Sequence, residues 1–345
     1  MPGLISAQER FITVQGDWRK FDIVTRIKFP KIDKKAQAWV PVPSVDLEEW
    51  SNALGSDWTT NATSASLEQT ESGANLVYLE WNEEAPEAVA EISSHAETRN
   101  RLIDFTRPEP APPLSDEERT LYTSPSSVMP FDETLRNMAA KATENAETDL
   151  GKAKAIYEWI ASDQSCDTGD LKTLLGGANM NSELPQDCDY LNRLFVGLCR
   201  VSGLPGREIF GIRVAPSDFG YESLGAVPED ITTRLHSRAE VWLENYGWVP
   251  VDPADLHRLI RYEPPGSLEL TDPRVVSARA TLFGAWEGNW VAYNMAHDVE
   301  LPALDGVVLP TFTRPLVRIG ADRLIDANST EIGCKIAAKE LPAGP

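Results

Sequence analysis

The chain has 345 residues, of which 42% are hydrophobic and 25% carry a charge. This length accommodates two domains, and this hydrophobic share suffices for a sizeable core. Acidic residues outnumber basic ones by 53 to 32, which gives a net charge of −21. Such a surface repels nucleic acid and anionic lipid, so neither is expected as a partner.

No stretch of the sequence approaches the roughly 20 apolar residues that a membrane-spanning helix needs. The first residues, MPGLISAQER, lack the basic and apolar regions of a signal peptide. We therefore expect no membrane span and a cytoplasmic location, or a periplasmic or secreted one if a leader has been removed.

The four cysteines are too few and too scattered for a disulfide framework in a chain of this length. They are Cys166, Cys188, Cys199 and Cys334. No Cys-x-x-Cys, His-x-x-x-His or calcium-loop pattern occurs in the sequence. The sequence therefore predicts no metal site and no cofactor.

The first hundred residues have the alternating pattern of β-strands. In FDIVTRIKFP the apolar or inward positions are Phe21, Ile23, Thr25, Ile27 and Phe29. AQAWVPVPS and NLVYLEW indicate further strands. The prolines of the former, Pro41 and Pro43, favour an edge strand because proline cannot donate to a ladder. A small β-sandwich over residues 1–106 fits this pattern.

A proline-, serine- and acid-rich segment at 107–129 is predicted to be either a linker or an ordered strap over the next domain. After it the apolar period changes from that of strands to that of helices. We expect a second domain over 130–320, in which helices pack on an antiparallel sheet. Residues 321–345 are expected to form a strand extension and a tail. The expected fold class is therefore α+β.

Three helices are predicted at the start of the second domain. Asp132 is a plausible N-cap of the first, and the second spans TDLGKAKAIYEWIA. The third is expected from about Asp187 to Ser202, with Gly203 as its C-cap glycine. Strands REIFGIRVAP, HSRAEVWL and WVPVDPA follow, and ENYG forms a hairpin turn between the last two, with Gly247 available for positive φ.

Two cysteines lie on the third predicted helix. Cys188 is in its first turn, where the helix N-terminus lowers a thiol pKa and makes the thiolate available. Cys199 lies three turns further, on the apolar face, which indicates packing. Cys188 is therefore the candidate nucleophile.

A cysteine nucleophile needs a base and a group that orients the base. His236 opens one strand of the hairpin and Asp252 ends the other, so the two can lie side by side. A two-residue turn at Asn245 and Tyr246 would however place Asp252 on the opposite face from His236. A triad of Cys188, His236 and Asp252 therefore requires a longer loop or a β-bulge.

These residues resemble the transglutaminase-like superfamily, a branch of the papain-like cysteine enzymes. The resemblance covers at least residues 130–260, in the segments CDYLNRLFVGLCRVSGLPGREIFGIRV and HSRAEVWLENYGWVPVDPAD. The matching positions are Cys188, His236, Gly247, Trp248 and Asp252. The N-terminal β region and NMAHDVELP resemble bacterial members with an added N-terminal β domain.

The residues before the cysteine depart from the family pattern, which commonly has glycine there. This chain has Gln186 and Asp187, and a carboxylate turned towards the thiol would oppose thiolate formation. Gln186 or a backbone N–H of the Cys188 turn could form an oxyanion hole. Asp255 is an alternative orienting residue.

Other candidates are assigned structural roles. These are His257, His297 with Asp298, Cys166, Cys334, and the tryptophans Trp242, Trp248, Trp286 and Trp290, which more often belong to a core than to a substrate platform.

The resemblance implies acyl transfer on amide bonds through a thioester held by Cys188. The expected substrate is a peptide, protein or small-molecule amide. With water as acceptor the enzyme is a peptidase or amidase, and with an amine it is a transamidase. Two alternatives stay open: an inactive binding or scaffold protein of the same fold, and an amide-forming enzyme of a biosynthetic pathway.

Overall fold

The computed structural model describes residues 16–29, 34–47, 49–82, 87–162, 190–320, 324–326 and 332–342. The predicted α+β fold class is confirmed. A β-rich N-terminal region precedes a core in which helices pack on an antiparallel sheet. The domain boundaries themselves stay predictions.

Two antiparallel sheets of the N-terminal region pack face to face. The first has the order β17-β1-β6-β3 and the second β16-β15-β2-β5-β4. Their strands are β1 (Arg19–Phe29), β2 (Ala36–Val42), β3 (Ser51–Thr60), β4 (Ser64–Gln69), β5 (Asn75–Trp81), β6 (Ala88–Thr98), β15 (Leu316–Ile319), β16 (Leu324–Asp326) and β17 (Gly333–Leu341). Alternate residues of β1 are buried, as its period-2 pattern predicts.

The proline-based prediction of an edge strand is wrong for β2, which lies between β15 and β5. Pro41 is opposite Leu76 of β5, whereas β15 pairs only with Ala36–Trp39. The pairing of β2 with β15 has therefore ended before Pro41. On the β15 side of β2, no hydrogen bond from an N–H at position 41 is needed.

The last strands of the chain return to the N-terminal region. β17 pairs with β1 over nine positions, from Lys20 opposite Leu341 to Lys28 opposite Gly333. β15 pairs with β2. Segments about 300 residues apart in sequence therefore complete these two sheets.

The segment 107–129 lies along the hairpin of the core. Its backbone donates hydrogen bonds from Glu109 to the Asn245 carbonyl (2.9 Å) and from Ala111 to the Glu244 carbonyl (2.8 Å). It contains helix α1 (Asp116–Thr123), which begins with a capping box in which Ser115 and Glu118 satisfy each other's backbone N–H.

Five further helices of the described chain belong to the core. They are α2 (Glu133–Ala142), α3 (Asp149–Ser162), α4 (Tyr190–Val201), α5 (Pro253–Tyr262) and α6 (Pro273–Thr281). Asp132 caps α2 by accepting from the Leu135 N–H at 2.8 Å, as predicted. Gly203 follows α4 with φ of +82°, the left-handed conformation predicted for its C-cap glycine.

The core sheet has the order β10-β9-β8-β12. Its strands are β8 (Gly206–Arg213), β9 (Leu235–Leu243), β10 (Gly247–Val251) and β12 (Trp290–Asn294). The apolar face of β9 and β10, with Ala239, Val241 and Val249, packs in one cluster with α3 and α4. Short strands β7 (Arg101–Leu102), β11 (Ala285–Trp286), β13 (His297–Glu300) and β14 (Val308–Thr311) form two further ladders.

The opposite face of the core sheet meets a tryptophan cluster. Ile209 and Trp290 of the sheet pack there with Trp50 of the N-terminal region and with Trp286. The sheet is thus enclosed between helices and aromatic rings. None of the helices in the described parts of the chain is long and apolar enough to cross a membrane.

Candidate active site

A histidine and an aspartate meet where two strands of the core sheet end. The Nε2 atom of His236, in β9, is 2.9 Å from the Oδ2 atom of Asp252, which follows β10. His236 is 4% exposed and Asp252 is fully buried. The two residues predicted as base and orienting group are therefore in direct contact.

The hairpin loop sets the register that brings them together. Trp248 is opposite Trp242 in the ladder, so the connection has three residues, Glu244 to Tyr246. Extending this register places Asp252 beyond Val251 on the face of His236. Of the two predicted alternatives, a longer loop or a β-bulge, the structure has the longer loop.

Asp252 is also the N-cap of helix α5. Its Oδ1 atom accepts the backbone N–H of Asp255 at 3.0 Å, and Pro253 occupies the first helical turn. The predicted strand WVPVDPA therefore ends at Val251, because Asp252 begins a helix instead. One oxygen of this carboxylate caps the helix and the other contacts the imidazole.

Helix α4 is joined to this carboxylate by Asn192. Its Nδ2 atom donates to Asp252 Oδ1 at 2.9 Å and to the Ser237 carbonyl at 2.6 Å. Its Oδ1 atom accepts the N–H of Ala254 at 3.1 Å. The first turn of α4 is thereby attached to both strands that carry the His236–Asp252 pair.

The predicted nucleophile lies just before that turn in the sequence. Tyr190 is the first described residue of helix α4, and Cys188 is two positions before it in the sequence. Cys188 and Gln186 themselves lie outside the described residues, as does Cys166. Their roles stay predictions.

A second carboxylate lies near the imidazole. Oδ1 of Asp255 is 3.5 Å from His236 Nε2, farther than Asp252, and forms a buried ion pair with Arg213. Burial alone would raise the pKa of Asp255, but the Arg213 charge, followed by that of His236, lowers it well below its usual range. Asp255 is therefore a second anion near the Nε2 atom of His236.

Arg238 supplies a second buried cation. Its guanidinium lies over the rings of Trp286 (5.4 Å) and Trp290 (4.8 Å), and its Nε is 3.5 Å from Asp252 Oδ2. Burial lowers the pKa of Arg238 to about 10, a value at which it still carries a charge at neutral pH. The sequence reasoning missed this residue, although its position two residues after His236 places it on the same strand face.

His236, Asp252 and Asp255 have potential ligand atoms within 4.8 Å of one another. The two carboxylates already neutralise Arg213 and Arg238, and a divalent cation would be repelled by these guanidinium groups. The charges of the two carboxylates are thus balanced by the two arginines, so this cluster fits a histidine held by carboxylates better than it fits a metal site.

The remaining candidates lie in structural surroundings. His257 donates from Nε2 to the Ile160 carbonyl at 3.0 Å, which joins α5 to α3. Asp298 accepts the hydroxyl of Ser127. Cys199 is fully buried, and burial raises its thiol pKa well above the usual range. Burial likewise raises the pKa of Cys334 to about 11.

The family model described as the transglutaminase-like superfamily matches residues 136–253. An uncharacterized protein of Haemophilus influenzae is 28% identical over 327 residues, covering 88% of this chain and 86% of that protein. This match is therefore longer than the segment 136–253 that the family model matches.

Two solved structures are also similar. One is described as a "Putative Cysteine Protease" from Cytophaga hutchinsonii, with 18% identity, a TM-score of 0.49, and coverage of 94% of this chain and 99% of that one. The other is the periplasmic domain of TgpA from Pseudomonas aeruginosa, with 12% identity, a TM-score of 0.30, and coverage of 75% and 96%.

Proposed function

We propose, because residues 136–253 match the family model described as the transglutaminase-like superfamily, that the chain is a cysteine-dependent acyl-transfer enzyme acting on amide bonds. The observation that carries the proposal is the buried 2.9 Å contact between His236 and Asp252. A histidine oriented by a carboxylate is the arrangement that activates a thiol nucleophile.

The geometry supports a defined role for each ring nitrogen of His236. Nε2 faces the two carboxylates, so Nδ1 is the nitrogen that a thiol would use. Cys188 is four positions before Asn192 in the sequence, and Asn192 of helix α4 contacts Asp252. Both features support Cys188 as the thiol.

In the proposed reaction the Cys188 sulfur attacks the amide carbonyl carbon, and His236 accepts the thiol proton. The C–N bond breaks as His236 returns the proton to the leaving amine, which leaves a thioester on Cys188. Water or an amine then attacks the thioester while His236 removes its proton, and the thiol is regenerated. Asp252 holds the imidazole orientation throughout. No cofactor takes part.

The acceptor decides between hydrolysis and transamidation. We propose hydrolysis as the main reaction, because the sequence has no calcium-loop pattern of the kind that would suggest a regulated crosslinking enzyme. The substrate class is a peptide, protein or small-molecule amide. A cytoplasmic location stays part of this proposal.

The first test is the rate of iodoacetamide labelling as a function of pH, with the modified cysteine located by peptide mapping. Cys188 should label fast at neutral pH, with an apparent pKa well below the free-thiol value of about 8.5. His236→Ala should slow the labelling. Cys199 and Cys334 are controls within the same chain, because burial raises both of their thiol pKa values.

Slow labelling of Cys188 at an ordinary thiol pKa would refute the proposed acyl-transfer activity and would favour the alternative, an inactive binding or scaffold protein of the same fold. If Cys188 is reactive, glutamine-containing peptides with and without an added primary amine separate the reactions. Peptide cleavage or ammonia release without amine supports hydrolysis, whereas amine incorporation alone supports transamidation.

A further inference from the structure

A cleft of about 780 Å³ lies at the far end of the core hairpin from His236. Its walls come from the segment 107–114, the hairpin tip and the N-terminal region. Trp242, which lines the cleft, is six positions after His236 in β9, so the two residues are about 20 Å apart along the strand. The cleft is therefore distinct from the candidate active site.

The floor of the cleft carries an excess of positive charge. Arg101 and Arg207 both line it, each 6% exposed, and both donate to the carboxylate of Glu240 behind them. Glu240 is fully buried, so one anion faces two cations in a poorly solvated place. An uncompensated buried charge is costly, and a ligand anion would relieve that cost.

Arg207 is the cation best placed to meet such an anion. Its Nε donates to Glu240 at 2.5 Å, and its guanidinium lies 4.0 Å from the ring centre of Trp248. Among the described residues its Nη groups have no hydrogen-bond acceptor. The charge of Arg207 contributes to lowering the pKa of Glu118, but the Glu118 carboxylate already accepts a hydrogen bond from Ser115. A planar guanidinium held in this way matches the geometry of a carboxylate.

The walls of the cleft are largely aromatic. Trp50, Trp242, Tyr246 and Trp248 line it. Aromatic walls with a few polar groups in a volume of several hundred Å³ are typical of small-ligand sites. The rings favour a flat apolar body on the ligand.

Acidic residues at the rim of the cleft disfavour a ligand with several negative charges. Glu49, Asp104 and Glu109 line the cleft, and of the rim cations Arg107 is paired with Asp104 at 3.6 Å. A polyanion would be repelled by these carboxylates, while a single negative group can pass to the floor.

We propose that this cleft binds a compact ligand with one carboxylate and a flat apolar body, the carboxylate on Arg207 and the body between the tryptophans. The same chemistry occurs in a free aromatic carboxylic acid and at the C-terminus of a peptide that ends in an aromatic residue. The site does not depend on the proposed acyl-transfer activity.

The test uses the full-length chain and the probe N-acetyl-phenylalanine, with N-acetyl-phenylalaninamide as a matched control that lacks the carboxylate. Binding is followed by tryptophan fluorescence, excited where phenylalanine does not absorb, and by calorimetry. We expect the acid to bind at least tenfold more tightly than the amide. A tripeptide with a free C-terminal phenylalanine distinguishes the two sources: tighter binding than the probe indicates a peptide terminus, and equal binding a small acid.

Two variants locate the binding. Arg207→Met should weaken binding of the acid at least tenfold, and Arg26→Met, an exposed arginine of β1, should leave it unchanged. Leu102→Glu adds a negative charge at the exposed rim without touching the buried ion pairs, and should weaken binding relative to Leu102→Gln. Thermal unfolding shows whether Arg207→Met folds. If it does not fold, the comparison of Leu102→Glu with Leu102→Gln still tests the proposal.

Equal binding of the acid and the amide would overturn the proposal. So would acid binding that Leu102→Glu leaves at the level of Leu102→Gln, or the absence of binding at millimolar acid. Reactivity of Cys188 is unaffected by any of these outcomes, so the cleft and the acyl-transfer proposal fail separately.

Discussion

Asn192 donates a 2.9 Å hydrogen bond from Nδ2 to the Oδ1 atom of Asp252, both of them fully buried. The same side chain bonds the Ser237 carbonyl and the Ala254 N–H. One amide thus joins helix α4 to the strand that carries His236 and to the start of helix α5. It is a structural link that the candidate active site depends on.

Removing this amide should destabilise the protein and disturb the site. Asn192→Ala leaves two buried backbone groups without their partner, at a cost of roughly 2–4 kcal/mol in the free energy of unfolding. Asn192→Asp should cost at least as much, because it places a second carboxylate against Asp252. Urea unfolding measures both.

The matched control is Asn145→Ala, at an exposed position between α2 and α3, which should change stability by less than about 0.5 kcal/mol. If Asn192→Ala were as stable as that control, the three hydrogen bonds would have no net role.

Gly211 is the residue opposite His236 in the β8–β9 ladder, and its missing side chain makes room for Trp290. A Cβ atom there would lie 2.6 Å from the indole ring and closer still to the Val291 carbonyl. The indole in turn donates from Nε1 to the His236 carbonyl at 3.0 Å. The position of His236 therefore depends on Trp290, and the position of Trp290 depends on the absence of a side chain at Gly211.

We expect Gly211→Ala to destabilise the protein by about 1–3 kcal/mol or more, because the tryptophan and the backbone must both move. Near-ultraviolet circular dichroism should show the displaced indole. Gly206→Ala, in the same strand, is the control, since its Cβ would make ordinary contacts at 3.5 Å. Equal effects of the two substitutions would contradict this account of Trp290.

The sequence was sufficient to predict helices α2, α3 and α4 and the shared face of His236 and Asp252, but not helices α1, α5 and α6. Periodicity identified α2 and α3, each of which buries an apolar stripe, and α4, which has an apolar period although it is buried on most sides. The parity of the hairpin required either a longer loop or a β-bulge, and the structure has a loop of three residues. Local patterns of this kind depend only on neighbours in the chain.

Contacts between distant segments could not be predicted in the same way. Nothing near Pro41 in the sequence shows that the partner strand on one side stops at Trp39, so the edge-strand prediction failed. The pairing of β1 with β17 likewise depends on the whole chain. Arg213 and Arg238 were missed because a buried cation is recognised only by the carboxylates and rings around it.

The ion pair of Arg213 with Asp255 is buried on both sides, with side-chain exposures of 2% and 3%. Asp255→Ala leaves the guanidinium without its carboxylate and should cost about 3–5 kcal/mol in the free energy of unfolding. The double variant Arg213→Met, Asp255→Ala should be more stable than Asp255→Ala alone, because no unpaired charge remains. Urea unfolding of the parent, Asp255→Ala, Arg213→Met and the double variant completes a double-mutant cycle.

An exposed pair of the same type serves as the reference. Glu91→Ala removes the partner of Arg26 on the surface and should change stability by about 0.5 kcal/mol or less. A double variant less stable than Asp255→Ala would show that the arginine contributes more through packing than through its charge.

The last prediction concerns Glu287, which lies beside the site and is 5% exposed. Its carboxylate accepts the backbone N–H of Asp218, and its own carbonyl accepts from Arg238 at 2.9 Å. Burial raises the pKa of Glu287 from 4.5 to about 7, against the opposing effect of the hydrogen bond from Ser217. The folded protein therefore holds this proton more tightly than the unfolded chain does.

Because the folded-state pKa is raised, the stabilisation is fully present below pH 4.5 and is lost as the pH rises to about 7. Glu287→Gln removes this dependence and keeps an oxygen for the Asp218 N–H. We expect the variant and the parent to be equally stable below pH 4.5, and the variant to be more stable above pH 7 by on the order of 3 kcal/mol.

Urea unfolding at a series of pH values measures the free energy of unfolding of the variant and of the parent. Subtracting one from the other cancels the titration of all the other groups that the two proteins share. Glu91→Gln, at an exposed position of β6, is the control and should show no such trend. A Glu287→Gln difference that stays constant from pH 4 to pH 8 would mean that the carboxyl group has the same pKa in the folded protein as in the unfolded chain, and that Arg238 compensates its burial.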